Sequence, residues 1–179
     1  MNKNTHRPSA KALSWTRYWR SGFQNTCFFA DEAFSVESDW RAFFSEAATG
    51  AKIIDLATGN GALAWIAAGV ARDSHRDIAI VGVDFADISP ADLAGVDAEL
   101  LQLVAFVGST DLAQLPFADA EFDFASSQFG FEINAKNKSG IQQIRFHSRT
   151  VGREEPKDFN NDSDEYTSEL NNKVVFLSI

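Results

Sequence analysis

The stretch IIDLATGNGALA, Ile53 to Ala64, holds an acid and two closely spaced glycines between an apolar run and a helix-forming run. Gly59 and Gly61 have no Cβ, so the backbone there can turn tightly and come close to a ligand. The free N–H groups of the helix that follows favour a polar or anionic group. Asp84 closes a second apolar run, VGVD. These residue types suit non-covalent binding of a nucleotide or nucleoside. Two glycines also make ordinary strand-to-helix turns, so the pair alone is a weak signal.

Two ligand classes compete for this turn. GNGALA fits G-x-G-x-x-A, a variant of the dinucleotide fingerprint, and Asp84 lies about 20 residues further on, where an acid would hold a ribose. That pattern suits NAD. Asp55, however, stands just before the turn, and a carboxylate there repels a pyrophosphate. It suits a ligand with an ammonium group and no phosphate, of which S-adenosylmethionine is one.

The elements that must position these residues read as alternating strands and helices. Strands are expected at Lys52 to Leu56, Ile78 to Asp84, Leu103 to Val107 and Phe122 to Ser126. The first two are apolar over most of their length, as strands covered on both sides must be. A helix between them carries Leu63, Ile66, Ala67 and Val70 on one face, and a weaker one is expected around Ala91 to Leu101. This is the order of a doubly wound, Rossmann-like α/β sheet. Before it, Trp15, Tyr18 and Trp19 share a helical face that Gly22 could end, and Trp40, Phe43, Phe44 and Ala47 repeat the spacing. Three zones follow: 1–49, a helical lid; 50–132, the ligand-binding core; and 133–179, a polar, turn-rich tail whose composition is that of partial disorder.

Four separated motifs in the core resemble those of class I S-adenosylmethionine-dependent methyltransferases. D-x-A-x-G-x-G at Asp55, Ala57, Gly59 and Gly61 is similar to the first, and VGVDFAD to the second. GSTDLAQLPFADAEFDFASSQFGFE is similar to the next two together, with an acid and a hydrophobic residue, an LPF turn and a Phe–Asp pair opening the fourth strand. WTRYWRSG and DWRAFF are similar to lid helices. The resemblance implies that Ala57, Gly59 and Gly61 pass beneath the methionine part of the cofactor and that Asp55 meets its amino group. It implies that Asp84, with Phe85 beside it, takes the ribose hydroxyls, and that Asp111 and Leu112 take the adenine. Ser127, Gln128, Phe129 and Gly130 fall where that family places the methyl acceptor. Trp15, Tyr18, Trp19 and Arg20 could line the same pocket. The expected cofactor is S-adenosyl-L-methionine, and the acceptor is a small molecule or a protein.

Methyl transfer from a sulfonium is an in-line displacement that positioning alone can accelerate. No general base stands out, since His6, His75 and His147 all sit in polar surroundings. Cys27, the one cysteine, reads as a small buried hydrophobe, excludes an intrachain disulfide and accompanies no metal-ligand spacing. The formal net charge of −9 argues against a nucleic-acid partner, and no apolar run reaches the length of a membrane span. A non-catalytic cofactor- or partner-binding descendant and an NAD-dependent oxidoreductase remain as alternative readings. Residues 1–30 carry only basic charges, a presequence-like feature, but their aromatics point to packing. The single cysteine fits a reducing compartment, and the expected location is cytoplasmic.

The resemblance stops after Glu132. Either the tail is foreign to the family, through truncation or a frame shift, or it diverges and VVFLSI supplies a late strand. The first reading is preferred, and it leaves the fourth strand with an unpaired edge prone to self-association.

Overall fold

The computed structural model describes residues 9–22, 36–93, 95–128, 147–150 and 175–178. Its centre is a sheet whose strands are β1 (Lys52–Leu56), β2 (Ala79–Val83), β3 (Val104–Val107), β4 (Phe124–Ser127), β5 (His147–Thr150) and β6 (Val175–Ser178), in spatial order β3-β2-β1-β4-β6-β5. The first four are parallel, with Ile54 beside both Val81 and Ala125. The chain winds outward from β1 through β2 to β3, then returns to the other side of β1 for β4. The strand order therefore reverses at β1, and the crevice beyond its carboxyl end is where ligands bind in open α/β sheets.

Side chains alternate across the sheet with the strand period of two. Ile53, Ile80 and Val104 face one layer, where α2 (Val36–Phe44) and α3 (Ala62–Asp73) bury Trp40, Phe43, Phe44, Leu63, Ala64 and Ala67. Phe43 meets Phe124 edge-on at 5.6 Å. Ile54, Leu56, Val83 and Ala125 face the other layer, covered by Leu112, Leu115, Phe117 and Phe122 from the β3–β4 connection. Among the described residues that second layer holds no helix. Lys52 and Asp123 exchange hydrogen bonds, Lys52 N–H to the Asp123 carboxylate and Asp123 N–H to the Lys52 carbonyl, both at 2.9 Å. This pair sets the register at which β4 opens.

The weak helix expected from Ala91 to Leu101 is split into a 3-10 turn (Pro90–Asp92) and α4 (Ala98–Leu101), which Asp97 caps by accepting from Glu99 N–H. Pro90 and Gly95 account for the break: proline fixes the turn's first residue and Gly95 takes φ +85. The helix α1 (Ala10–Arg20) starts at the Ser9 cap and stops at Gly22, φ +89, as its spacing implied.

One expectation is overturned. The outer edge of β4 is not unpaired: β6 runs antiparallel along it, Phe124 beside Ser178 through Ser127 beside Val175, and β5 pairs with β6 in turn. VVFLSI does supply a late strand. The physical reason is its short apolar, β-branched run, which can satisfy the β4 backbone groups despite a polar surrounding. No fifth parallel strand separates β4 from this antiparallel pair among the described residues. The edge through which self-association was expected is thus covered at β4.

Candidate nucleoside crevice

The crevice is built at the carboxyl ends of β1, β2 and β4. Immediately after β1 the backbone enters the left-handed region at Ala57 (φ 56), Gly59 (φ 55) and Gly61 (φ 87). Ala57 carries a Cβ there, a conformation that costs an L-residue about 1–2 kcal/mol and needs support from its surroundings. The support is visible. Thr58 N–H donates to the Val83 carbonyl at 2.9 Å, tying the turn to β2, and Gly61 N–H donates to the Thr58 carbonyl at 2.8 Å. Gly61 then serves as the cap from which α3 leaves, directing the helix start at the crevice.

Asp84 follows β2 and holds the glycine turn from the opposite wall. Its Oδ2 accepts Gly59 N–H and its Oδ1 accepts Ala86 N–H, both at 2.8 Å. The side chain that closes the second strand, 25 residues beyond Gly59, is thereby brought directly onto the glycine loop. A carboxylate has about four acceptor sites, more than these backbone donors fill. Burial pushes the Asp84 carboxyl above its ordinary value, against the pull of those backbone hydrogen bonds. Phe85 beside it is half-buried.

Asp55 lies on the α3 face of β1 and is 2% exposed. Its two oxygens accept from Thr58 Oγ1 at 2.6 Å and Ser126 Oγ at 2.8 Å. Asp55 therefore joins the end of β1, the turn and the end of β4. Burial is the main reason its carboxyl is pushed up to about 7, and the nearby Asp84 adds to it, while the two hydroxyls pull the other way. Near neutral pH Asp55 takes or gives up a proton readily. A cationic ligand would favour its ionised form.

The other expected residues are placed unevenly. Asp111 is exposed in the turn after β3, where its carboxylate accepts Ala113 N–H at 2.9 Å. Thr110 N–H donates to the Asp84 carbonyl at 2.9 Å, so the Asp111 turn adjoins the crevice. Leu112 is 7% exposed and belongs to the second core layer. Ser127 donates to the Leu56 carbonyl at 2.9 Å and is buried, a brace between β1 and β4. Gln128 is half-buried at the end of β4, whereas Phe129 and Gly130 lie outside the described residues. Cys27 and His6 also lie outside them. His75 is exposed in the turn between α3 and β2.

Of the two aromatic helices, only α1 lies over the crevice. Trp19 packs with Ala86 and Ile88, and with Phe106 beside them. Its indole is so close to Gly59 that a Cβ there would collide with it. Phe106 crowds Gly61 and Gly82 in the same way, at 2.8 Å from the position of either Cβ. Helix α2 packs in the main core. Sequence reasoning missed Thr58, Asn60, Ser126 and Phe106. Ser126 could have been found by laying β4 beside β1, since the register puts it next to Asp55.

No protein-family model matches the chain. In sequence it is similar to the ubiquinone/menaquinone biosynthesis C-methyltransferase UbiE of Geotalea uraniireducens, 26% identical over 129 residues, covering 68% of this chain. The chain spans about half the length of that relative, 52%. Among solved structures it is similar to the [4+2]-cyclase SpnF, with 21% identity and a TM-score of 0.49, covering 74% of this chain and 51% of that one. A methyltransferase from Thiobacillus denitrificans in complex with S-adenosyl-L-homocysteine gives 16% identity and a TM-score of 0.43, covering 85% and 60%. The sequence similarity to UbiE supports the methyltransferase resemblance of the four motifs. No helix among the described residues is long and apolar enough to cross a membrane.

Proposed function

We propose that the chain is an S-adenosylmethionine-dependent methyltransferase domain of the class I type, whose crevice between Gly59, Asp84 and Asp111 holds the cofactor. The observation that carries this reading is the Asp84 carboxylate seated on Gly59 N–H at the reversal point of the sheet. An acid held there by backbone donors keeps acceptor capacity for vicinal hydroxyls. Asp55 and the glycine turn face the ammonium and methionine end, and Asp111 the adenine end. The relative UbiE is named as a C-methyltransferase, which supports the methyltransferase reading.

The cofactor would supply the methyl group as a sulfonium leaving from sulfur. The protein's contribution is positional: it binds the nucleoside by its sugar and base, orients the sulfonium toward the end of β4, and excludes water from the turn. Gln128, half-buried at the end of β4, stands on the acceptor side. The acceptor is a small molecule or a protein, and the chain acts in the cytoplasm.

Isothermal titration with S-adenosylhomocysteine and, separately, with NAD tests the reading. The expected result is one site for S-adenosylhomocysteine, lost in Asp84→Asn, with no heat from NAD. NAD binding that Asp84→Asn abolishes would replace this reading with the oxidoreductase one.

A further inference from the structure

The crevice assigned to the nucleoside is filled by the protein's own first helix. Gly59 is the residue whose missing side chain should let the methionine part of a ligand pass, and the Trp19 indole occupies that space. Trp19 is only 9% exposed, and beneath it Asp84, Thr58 and Asn60 are 6%, 7% and 3% exposed. A ligand that touches Gly59 cannot coexist with Trp19 in this position.

The helix is fastened to the two walls of the crevice at separate points. The Asn60 side-chain amide donates to the Trp19 carbonyl at 2.9 Å, which ties the end of α1 to the glycine turn. Asp87 N–H donates to Thr16 Oγ1 at 2.9 Å, and Arg20 pairs with the Asp87 carboxylate, which tie α1 to the segment after β2. Trp15 stacks on Trp19 with ring centres 6.4 Å apart, and Tyr18 meets Trp19 edge-on at 5.0 Å. The attachments are of unequal strength. Arg20 and Asp87 have side chains 61% and 60% exposed, so solvent screens their pairing, and Thr16 contributes one neutral acceptor.

We propose that α1 is a displaceable plug: Trp19 closes the nucleoside crevice in the unliganded protein, and cofactor binding requires α1 to leave Gly59. The inference rests on the cofactor reading above. It has a quantitative consequence. When only a fraction of molecules is open, the apparent dissociation constant is the intrinsic one divided by that fraction. Loosening the plug therefore tightens binding, although it removes native contacts and lowers stability. A wall residue that touched the ligand would behave in the opposite way.

The test is titration of S-adenosylhomocysteine into the wild-type chain, Trp19→Ala, and a Thr16→Val/Arg20→Ala variant whose changes lie on the fastening away from Gly59. Each is first shown to be folded by its urea transition. The plug predicts binding about tenfold tighter in Trp19→Ala and about threefold tighter in the fastening variant, by the fraction argument. It also predicts that the ligand exposes Trp19, seen as a red shift of tryptophan emission that is absent in Trp19→Phe. Should Trp19→Ala prove too unstable to titrate, the fastening variant decides the matter alone. Equal or weaker binding in the folded variants overturns the plug while leaving the cofactor reading intact. Binding to none of the three proteins overturns both. Wild-type binding that survives Asp84→Asn unchanged overturns the cofactor reading and, with it, the plug.

Discussion

Removing the Asp84 carboxylate should weaken the fold as well as ligand binding, by an amount that can be worked from its two hydrogen bonds. Asp84→Ala leaves Gly59 N–H and Ala86 N–H without the acceptors they have at 2.8 Å. A buried donor left unsatisfied costs about 1–3 kcal/mol, so the pair would cost about 2–6 kcal/mol. Two effects offset this. The variant no longer buries a charge that burial disfavours, as the raised carboxyl pKa indicates, and water can enter the space left. A net loss of about 2 kcal/mol follows. With a urea slope of about 2 kcal/mol per molar for a small domain, the unfolding midpoint falls by about 1 M. Asp84→Asn keeps one acceptor but sets an NH2 group toward the other donor, so its midpoint falls by a comparable amount. Asp111→Ala is the control: that carboxylate is exposed and caps one local turn, so its change should stay within about 0.5 kcal/mol. Urea melts followed by tryptophan emission measure all three. An Asp84→Ala midpoint within about 0.2 M of wild type would refute the claim that Asp84 braces the glycine turn.

The remaining predictions use the same chain. Because burial raises the Asp55 carboxyl from 3.8 to about 7, the folded form holds its proton longer than the unfolded form, and this group's contribution to stability falls as pH rises from about 4 to 7. Binding of an ammonium ligand has the opposite slope: S-adenosylhomocysteine affinity should rise several-fold from pH 6 to 8, and the rise should vanish in Asp55→Asn, as titrations at each pH would reveal. Phe44→Ala, at a fully buried position between α2 and α3, should cost about 3–5 kcal/mol in a urea or thermal melt. A chain ending at Glu132 loses the strand paired with β4, and its urea midpoint should fall by at least about 0.5 M, since each lost hydrogen bond is worth about 0.5–1.5 kcal/mol; equal midpoints would mean that β6 adds nothing.

Strands β1, β2 and β3 were legible because each is a short apolar run bounded by turn residues, and because Gly59, Gly61 and Asp84 mark strand ends. Helix α1 was legible from the i, i+3, i+4 spacing of Trp15, Tyr18 and Trp19, but its position over Gly59 was not. An amphipathic stripe states that a face is covered, never by what. The same limit applied to α2, whose similar stripe turned out to face the sheet. β6 was misjudged because a short apolar run at a distance of about fifty residues carries no local sign of its partner; pairing depends on which edge is vacant. Leu112 was read as a possible adenine contact from its place after Asp111, while its burial among Ile54, Val83 and Phe122 depends on how the β3–β4 connection folds back. Ser126 was missed as a partner of Asp55 because their hydrogen bond crosses 71 positions of sequence and shows only once β4 is laid beside β1.

A crystal of the protein grown with S-adenosylhomocysteine would test the assignment of the crevice most directly. The account predicts the ribose hydroxyls within hydrogen-bond distance of Asp84, the adenine beside Asp111, the amino group toward Asp55, and the Trp19 indole moved off Gly59. A nucleoside bound elsewhere, or a crevice still closed by Trp19 at saturating ligand, would contradict it.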